Sequence, residues 1–195
     1  MTASDTRHWP TSALRAADTA FAALTCEPKP LAIDCDSLGA GLDLPPGQLA
    51  LTTLRDWLAD HPHDQRARYA VWHELVLRAR LDGPQWVIAA VGMAMPLLVR
   101  VAHQACEDFY GDPTDVDAQI LTGFLDALHN RIDLDRDDPY IELHDAAQRA
   151  GRRHARLCKH PRSFHPPAGS PTTPAGLPHR PGHHAREAMA HVHGE

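Results

Sequence analysis

Residues 111–128 read GDPTDVDAQILTGFLDAL, and this stretch carries a full set of helix signals. Asp112 is a favourable N-cap, and Pro113 suits the first helical position because the N–H it lacks would have no helical partner there. Asp115 and Asp117 place negative charge at the positive end of the helix dipole. An apolar stripe at helical spacing follows: Val116, Ile120, Leu121, Phe124, Leu125 and Leu128. The stretch therefore predicts an amphipathic helix packed against other elements.

The rest of the chain repeats this pattern of amphipathic segments separated by turn residues. Helices are predicted over 12–24, 64–80, 85–109, 113–130 and 139–157, and a short strand over 31–34. A further short helix is predicted to begin at Thr52 or Thr53 and to end before His61. Residues 37–48 are rich in Gly, Pro and Asp, which predicts a loop. Pro96 lies inside a predicted helix, where it removes one backbone donor and crowds the carbonyl of Gly92. The helix is therefore expected to kink at this point.

These segments predict an all-α fold. A compact helical domain of four to five helices is expected over 52–158. An irregular N-terminal segment with one short helix is expected over 1–51, and a disordered Pro- and His-rich tail over 159–195. The predicted core includes Trp72, Trp86, Val101, Ile120, Phe124 and Leu128.

The tail is expected to be disordered because of its composition. Seven of the 17 prolines and seven of the 15 histidines lie between His160 and Glu195, with almost no large apolar residue. Such a segment cannot bury enough apolar surface to offset the entropy lost on ordering. Histidines on a flexible segment do not form a preformed metal site.

Targeting and redox features favour a cytoplasmic protein. The N-terminal sequence MTASDTRHWP lacks the charged and apolar blocks of a signal peptide. The longest apolar run, 86–98, is too short to span a bilayer, so no membrane partner is expected. The four cysteines never form a CxxC pair, and free thiols fit a reducing compartment.

Charge is unevenly distributed along the chain. Residues 1–148 hold 11 Lys and Arg against 23 Asp and Glu, whereas residues 149–162 hold six basic residues and no acid. The basic residues are Arg149, Arg152, Arg153, Arg156, Lys159 and Arg162. An acidic body with one concentrated basic end indicates an anionic partner at that end.

The stretch from about residue 86 to 156 resembles region 2 of bacterial sigma factors, a helical domain that docks on RNA polymerase. The resemblance rests on matching positions in and after the GD-x-x-D turn: Gly111, Asp112, Asp115, Phe124, Leu125, Ala127 and Leu128. It implies a regulatory protein that contacts DNA or RNA polymerase, or another regulator. It also implies Asp115, Asp117 and Gln119 as candidate partner-binding residues.

The resemblance places the basic residues where that family contacts promoter DNA. Arg149, Arg152, Arg153, Arg156 and Lys159 are therefore the candidate nucleic-acid-binding residues. The chain differs from the family at three points, one of which is that no second helix-turn-helix is predicted after the last helix. The polar Gln-Glu pair of the docking helix is replaced by Leu121-Thr122, and Tyr140 is the only aromatic residue of the last helix.

Helical spacing brings these arginines together. Arg149, Arg153 and Arg156 share one face, and Arg152 lies beside it. Such a row can span successive phosphates and would bind nucleic acid in a salt-dependent way. The alternative is a solvated helix end, where each cation interacts favourably with the dipole by ~0.3–1 kcal/mol.

No sequence motif indicates catalysis. GxSxG, GxGxxG and P-loop patterns are absent, and the acidic turn 131–138 lacks the glycine and the terminal glutamate of a calcium loop. We therefore expect a non-enzymatic regulatory protein with no cofactor and no metal. The alternative is a helical protein–protein interaction module without nucleic-acid binding, using either 111–128 or the region 57–72. An enzyme would need a site formed by residues that give no sequence signal.

Overall fold

The computed structural model describes residues 12–107 and 111–159, with side chains described as far as Leu157. Six α-helices dominate this part of the chain: α1 (Ala13–Leu24), α2 (Leu51–Asp60), α3 (Gln65–Leu81), α4 (Pro84–Cys106), α5 (Pro113–Asp126) and α6 (Pro139–Lys159). Two short strands, β1 (Ala32–Asp34) and β2 (Gln48–Ala50), lie between α1 and α2. The predicted all-α class is confirmed, with five of the helices in the region where four to five were expected.

Carboxylate caps start three of the helices. Asp64 accepts the backbone N–H of Ala67 at the start of α3. Asp112 accepts that of Thr114 at the start of α5. Asp138 directly precedes Pro139, the first residue of α6, and accepts the backbone N–H of Tyr140. Each cap satisfies a donor that has no partner inside its helix. The predicted Asp112-Pro113 helix start is therefore confirmed.

Two predicted boundaries before α3 are wrong. Gln48 belongs to β2, which pairs antiparallel with β1 and brings Ala32 opposite Ala50. The following helix begins at Leu51 without a side-chain cap, rather than at Thr52 or Thr53. Strand pairing across a loop is a non-local contact, so local turn chemistry could not show that Gln48 would be extended.

The helix predicted over 85–109 also ends earlier than expected, whereas the segment predicted over 113–130 is helical as far as Arg131 but changes its helix type. Helix α4 ends at Cys106, and α5 gives way at Ala127 to a π-helical turn, Ala127–Arg131. Arg80 of α3 donates to the carbonyl oxygens of Leu128 at 2.8 Å and Ile132 at 2.9 Å. The Arg80 side chain therefore pairs carbonyl oxygens at the π-helical turn that ends the helix, where the backbone supplies too few N–H donors.

Helix α4 lies at the centre of the fold. It packs mainly against α1, α3, α5 and α6, it also contacts α2, and it contributes twelve buried residues. All six predicted core residues are buried, including Trp72, Ile120 and Phe124. The core also extends into the N-terminal segment, since Leu14, Phe21 and Ile33 belong to the same hydrophobic cluster.

The acidic turn 131–138 is stabilised by its own carboxylates. The side chain of Asp137 accepts the backbone N–H of Asp133, and that of Asp133 accepts the N–H of Asp135. Arg136 lies 3.7 Å from the Asp133 carboxylate. The acidic residues therefore form local hydrogen bonds that shape the connection from α5 to α6. The tail beyond Lys159 lies outside the described residues.

Candidate functional site

The basic end of α6 lies on the solvent side of that helix. Arg149, Arg152, Arg153 and Arg156 are all exposed. The opposite face of α6 is buried through small and apolar residues: Leu143, Ala146, Ala147, Gly151 and Ala155. The shared face that helical spacing predicted for the arginines is therefore present in the structure. Lys159 is the last residue of α6, and its side chain lies outside the described set.

The four arginines differ in their partners. Arg149 lies 3.9 Å from both the Glu142 and the Asp145 carboxylates, so its charge is partly compensated. Arg152, Arg153 and Arg156 make no ion pair or hydrogen bond with any residue of the described ranges. Their guanidinium donors are accordingly available to an external anion.

The spacing of the arginines suits a chain of phosphates. From residue 149 to 156 the helix rises by about 10 Å, at about 1.5 Å per residue. One strand of duplex DNA carries a phosphate roughly every 3.4 Å along the axis, so this length covers about three such intervals and therefore about four phosphates. The arrangement can therefore contact a nucleic-acid backbone without reading base edges.

The three candidate partner-binding residues of α5 do not share a face. Asp115 and Gln119 are exposed and lie one turn apart, whereas Asp117 is half-buried. Asp117 lines a groove of about 440 Å³ between α1, α4 and α5. Burial and then the negative charge of Asp117 raise the pKa of the Cys106 thiol in the same groove. A single partner surface on α5 would therefore use Asp115 and Gln119 without Asp117.

The start of α5 is fixed by its cap. The backbone N–H of Thr114 donates to the Asp112 carboxylate at 2.9 Å, and this hydrogen bond lowers the pKa of Asp112. Further along, Leu121 is half-buried, and the hydroxyl of exposed Thr122 donates to the Ala118 carbonyl. Neither residue replaces the polar pair that the sigma-factor docking helix carries.

Tyr140, the aromatic residue of α6, packs away from the arginine face. Its ring lies 4.9 Å from the Arg68 guanidinium, and its centroid is 5.7 Å from that of Trp72. The ring is therefore engaged by α3 at the far end of α6 from the arginines. Base stacking next to Arg152 or Arg153 would have to use another side chain.

Sequence reasoning missed a second group of arginines. Arg55, Arg68 and Arg100 come from three different helices and line one cavity of about 320 Å³, together with Trp72 and Tyr140. The residues are scattered over 86 positions of the chain, and no local spacing connects them. Only tertiary packing brings them together, so the sequence carried no usable signal for this cavity.

The region 57–72, proposed as an alternative interaction surface, is only partly accessible. Trp72 is 3% exposed, and the Trp57 ring stacks on His61 with the ring centroids 4.1 Å apart. Tyr69 is the exposed aromatic side chain of this region, and two more exposed apolar side chains, Leu77 and the 72% exposed Leu81, lie further along α3.

Helix α4 is long and apolar enough to cross a membrane by length and composition. The apolar segment is therefore longer than the run 86–98 that the sequence analysis judged too short to span a bilayer. However, 61% of its apolar window is buried by the rest of the described fold, as expected of a central core helix.

Comparison with known proteins gives no match: no family model, no curated protein and no solved structure is significantly similar to the chain.

Proposed function

We propose that this chain is a non-enzymatic regulatory protein that binds nucleic acid through the outward face of α6. The observation that carries the proposal is the row of exposed arginines at one end of an acidic chain. Three of them, Arg152, Arg153 and Arg156, have no partner among the described residues. An unpaired guanidinium on a rigid helix is a strong donor for phosphate oxygens.

The acidic body favours contact limited to this end. Residues 1–148 carry about twice as many acidic as basic side chains, so nucleic acid would be repelled from most of the surface. The expected partner is the backbone of duplex DNA. The resemblance to region 2 of sigma factors adds RNA polymerase as a proposed partner, with Asp115 and Gln119 as the exposed contacts on α5.

The test is a fluorescence-anisotropy titration of the full chain with duplex DNA at several salt concentrations. Four phosphate contacts predict a slope of log K against log salt of about −3.6. The variant Arg152→Ala/Arg153→Ala/Arg156→Ala removes three contacts, and it should bind much more weakly with a shallower slope of about −1.

A matched control removes three exposed arginines elsewhere: Arg66→Ala/Arg131→Ala/Arg136→Ala. This variant changes the net charge by the same amount but leaves α6 intact, so its affinity should stay close to that of the wild type. Equal losses in both triple variants would show that only net charge matters. Absence of salt-dependent binding by the wild type would overturn the proposal.

The exposed apolar residues of α3 favour a second candidate function, an interaction module that pairs with a second copy of the chain. Leu77 and Leu81 lie one turn apart, and Tyr69 lies two turns before Leu77. Light scattering distinguishes the two candidates. A dimer that binds no DNA supports the second, and a monomer with salt-dependent DNA binding supports the first.

A further inference from the structure

A cavity of about 320 Å³ opens between α2, α3, α4 and the first turn of α6. Arg55, Arg68 and Arg100 line it, whereas Asp56 is the one carboxylate among its described lining residues. The Asp56 side chain is 75% exposed and lies 4.0 Å from Arg55 Nε, so its compensation of the arginines is weak. The cavity is therefore positively charged within an acidic protein.

Arg68 has a donor that the described residues leave unpaired. Its Nη1 donates to the Pro62 carbonyl at 3.3 Å, and its guanidinium packs on the Tyr140 ring. Its Nε is buried and has no hydrogen-bond partner in the described part of the chain. A buried donor left unpaired is unfavourable, so a small shift of the Arg68 side chain that brings its guanidinium onto an acceptor in the cavity would be favourable.

Arg55 is held in place by the proline of α4. Pro96 has no N–H, so it cannot donate to the Gly92 carbonyl one turn earlier. Arg55 Nη1 donates to that carbonyl instead, at 3.2 Å, and the guanidinium lies 5.2 Å from the centre of the Phe21 ring. Its conformation is therefore fixed before any ligand binds, which lowers the entropy lost on binding.

Arg100 supplies a third cation from the same helix as Pro96. It is exposed and makes no ion pair or hydrogen bond with another described residue. Three guanidinium groups in one cavity match the oxygen atoms of a carboxylate or phosphate, which arginine binds in a forked geometry.

The remaining wall is apolar and partly aromatic. Trp72 and Tyr140 lie side by side, and Leu58, Met93 and Leu97 complete the lining. A volume of about 320 Å³ lies at the small end of the range for ligand pockets, roughly 300–1,000 Å³. The occupant must therefore combine a compact apolar body with an oxyanion.

We propose that this cavity binds a small organic anion, with its carboxylate or phosphate group on the arginines and a planar apolar body against Trp72 and Tyr140. The cavity is not lined by Arg149, Arg152, Arg153 or Arg156. The test of this proposal is therefore independent of nucleic-acid binding by α6.

Isothermal titration calorimetry of the full chain with four probes tests the proposal: phenyl phosphate, benzoate, inorganic phosphate and benzyl alcohol. Phenyl phosphate or benzoate should bind at one site per chain, at least tenfold tighter than inorganic phosphate. The stronger of the two identifies the preferred oxyanion. Neutral benzyl alcohol should give no saturable heat, because it leaves the arginines unpaired.

Variants locate the site. Arg68→Met should weaken binding of the preferred anion at least tenfold, and Arg100→Met, at an exposed position where folding is not at risk, should weaken it several-fold. Arg66→Met is the matched control, since Arg66 lies on the same helix as Arg68 but outside this cavity. Its affinity should equal that of the wild type, and thermal melting of each variant checks folding.

Three results would overturn the proposal. The first is no saturable heat from either aromatic anion up to roughly 10 mM. A Kd above that concentration corresponds to a binding free energy weaker than about −3 kcal/mol. The second is unchanged affinity in both Arg68→Met and Arg100→Met. The third is evidence that the cavity binds a phosphate group without an apolar body, namely equal affinity for inorganic phosphate and phenyl phosphate or displacement of the probe by duplex DNA.

Discussion

At Gly92, helices α1 and α4 approach so closely that no side chain fits between them. A Cβ atom built at Gly92 would lie 2.0 Å from the ring of Phe21, far inside van der Waals contact. The same glycine carries the carbonyl that Pro96 leaves without a helical donor and that Arg55 bonds. Gly92 therefore serves the packing of Phe21 and, through its carbonyl, the position of Arg55.

The sequence shows part of this arrangement. Pro96 and the consequence for the Gly92 carbonyl follow from the chemistry of proline in a helix. The partner of that carbonyl does not, because Arg55 is 37 residues away and belongs to another helix. Local chemistry identifies an unpaired group, and tertiary packing decides which side chain pairs with it.

We predict that Gly92→Ala destabilises the protein, by about 1–3 kcal/mol, because the added methyl group must displace a fully buried ring. Alanine has the higher helix propensity by about 1 kcal/mol, so in an uncrowded helix the same change would stabilise. Urea denaturation followed by circular dichroism measures the difference.

A double-mutant cycle with Phe21→Ala provides the control for this prediction. Removal of the ring should reduce the cost of Gly92→Ala, which gives a clear coupling free energy between the two positions. Additive effects would mean that the two residues do not compete for the same space.

At the scale of elements, α5 and α6 pack closely along small residues. A Cβ atom at Gly123 would lie 2.5 Å from that of Ala150 and 3.1 Å from the Ala146 carbonyl oxygen. At the next contact along the pair, a Cβ atom at Gly151 would lie 3.0 Å from Ile120. Small residues on both helices allow this close approach, and it holds the arginine-bearing helix firmly against the core.

Gly123→Ala should therefore lower stability, although glycine normally costs a helix about 1 kcal/mol relative to alanine. The sign of the change in melting temperature is the readout. Thr122→Ala is the control on the same helix, because Thr122 is exposed, and its effect should stay within about 0.5 kcal/mol. A higher melting temperature for Gly123→Ala would show that the helices do not cross closely at this point.

Element boundaries were predictable where a side chain marks them. Asp112 and Asp138 cap their helices as the Asp-Pro sequences indicate. Strand β2 and the π-helical turn after α5 were not predictable, because each depends on a contact from elsewhere: β1 for the strand and Arg80 for the turn. Caps are local in sequence, whereas pairing and bridging contacts are not.

At the scale of the whole molecule, the two candidate sites differ in how far the sequence reveals them. The arginine face of α6 follows from spacing within one helix, so it could be predicted before the fold was known. The arginine-lined cavity needs Arg55, Arg68 and Arg100 from three helices and Tyr140 from a fourth. Neither charge runs nor motifs could identify it.

The segment before α2 contributes side chains to the same core as the later helices. Leu14, Phe21 and Ile33 are almost fully buried in the same cluster as α3, α4 and α5. Full burial of an apolar side chain of this size contributes about 1.5–3 kcal/mol, so the three together are comparable with the entire stability of a small domain, about 5–15 kcal/mol. Helix α4 would lose the cover of one of its sides without α1.

A truncation tests whether residues 12–50 are part of the core of the helical domain or are a segment appended to it. We predict that a chain of residues 51–159 loses cooperative thermal unfolding and exposes apolar surface, whereas a chain of residues 12–159 keeps both its cooperativity and its melting temperature. Circular dichroism melts and binding of an apolar fluorescent dye measure the two properties. The longer chain is the matched control, since it ends at the same residue and differs only by residues 12–50, which hold α1, β1, β2 and the segment that joins the strands. If residues 51–159 melted cooperatively at the same temperature as residues 12–159, α1 and the strands would contribute nothing to the core. Phe21 of α1 also packs against Arg55. The same result would therefore mean that the Phe21 contact is not needed to hold Arg55 in the cavity.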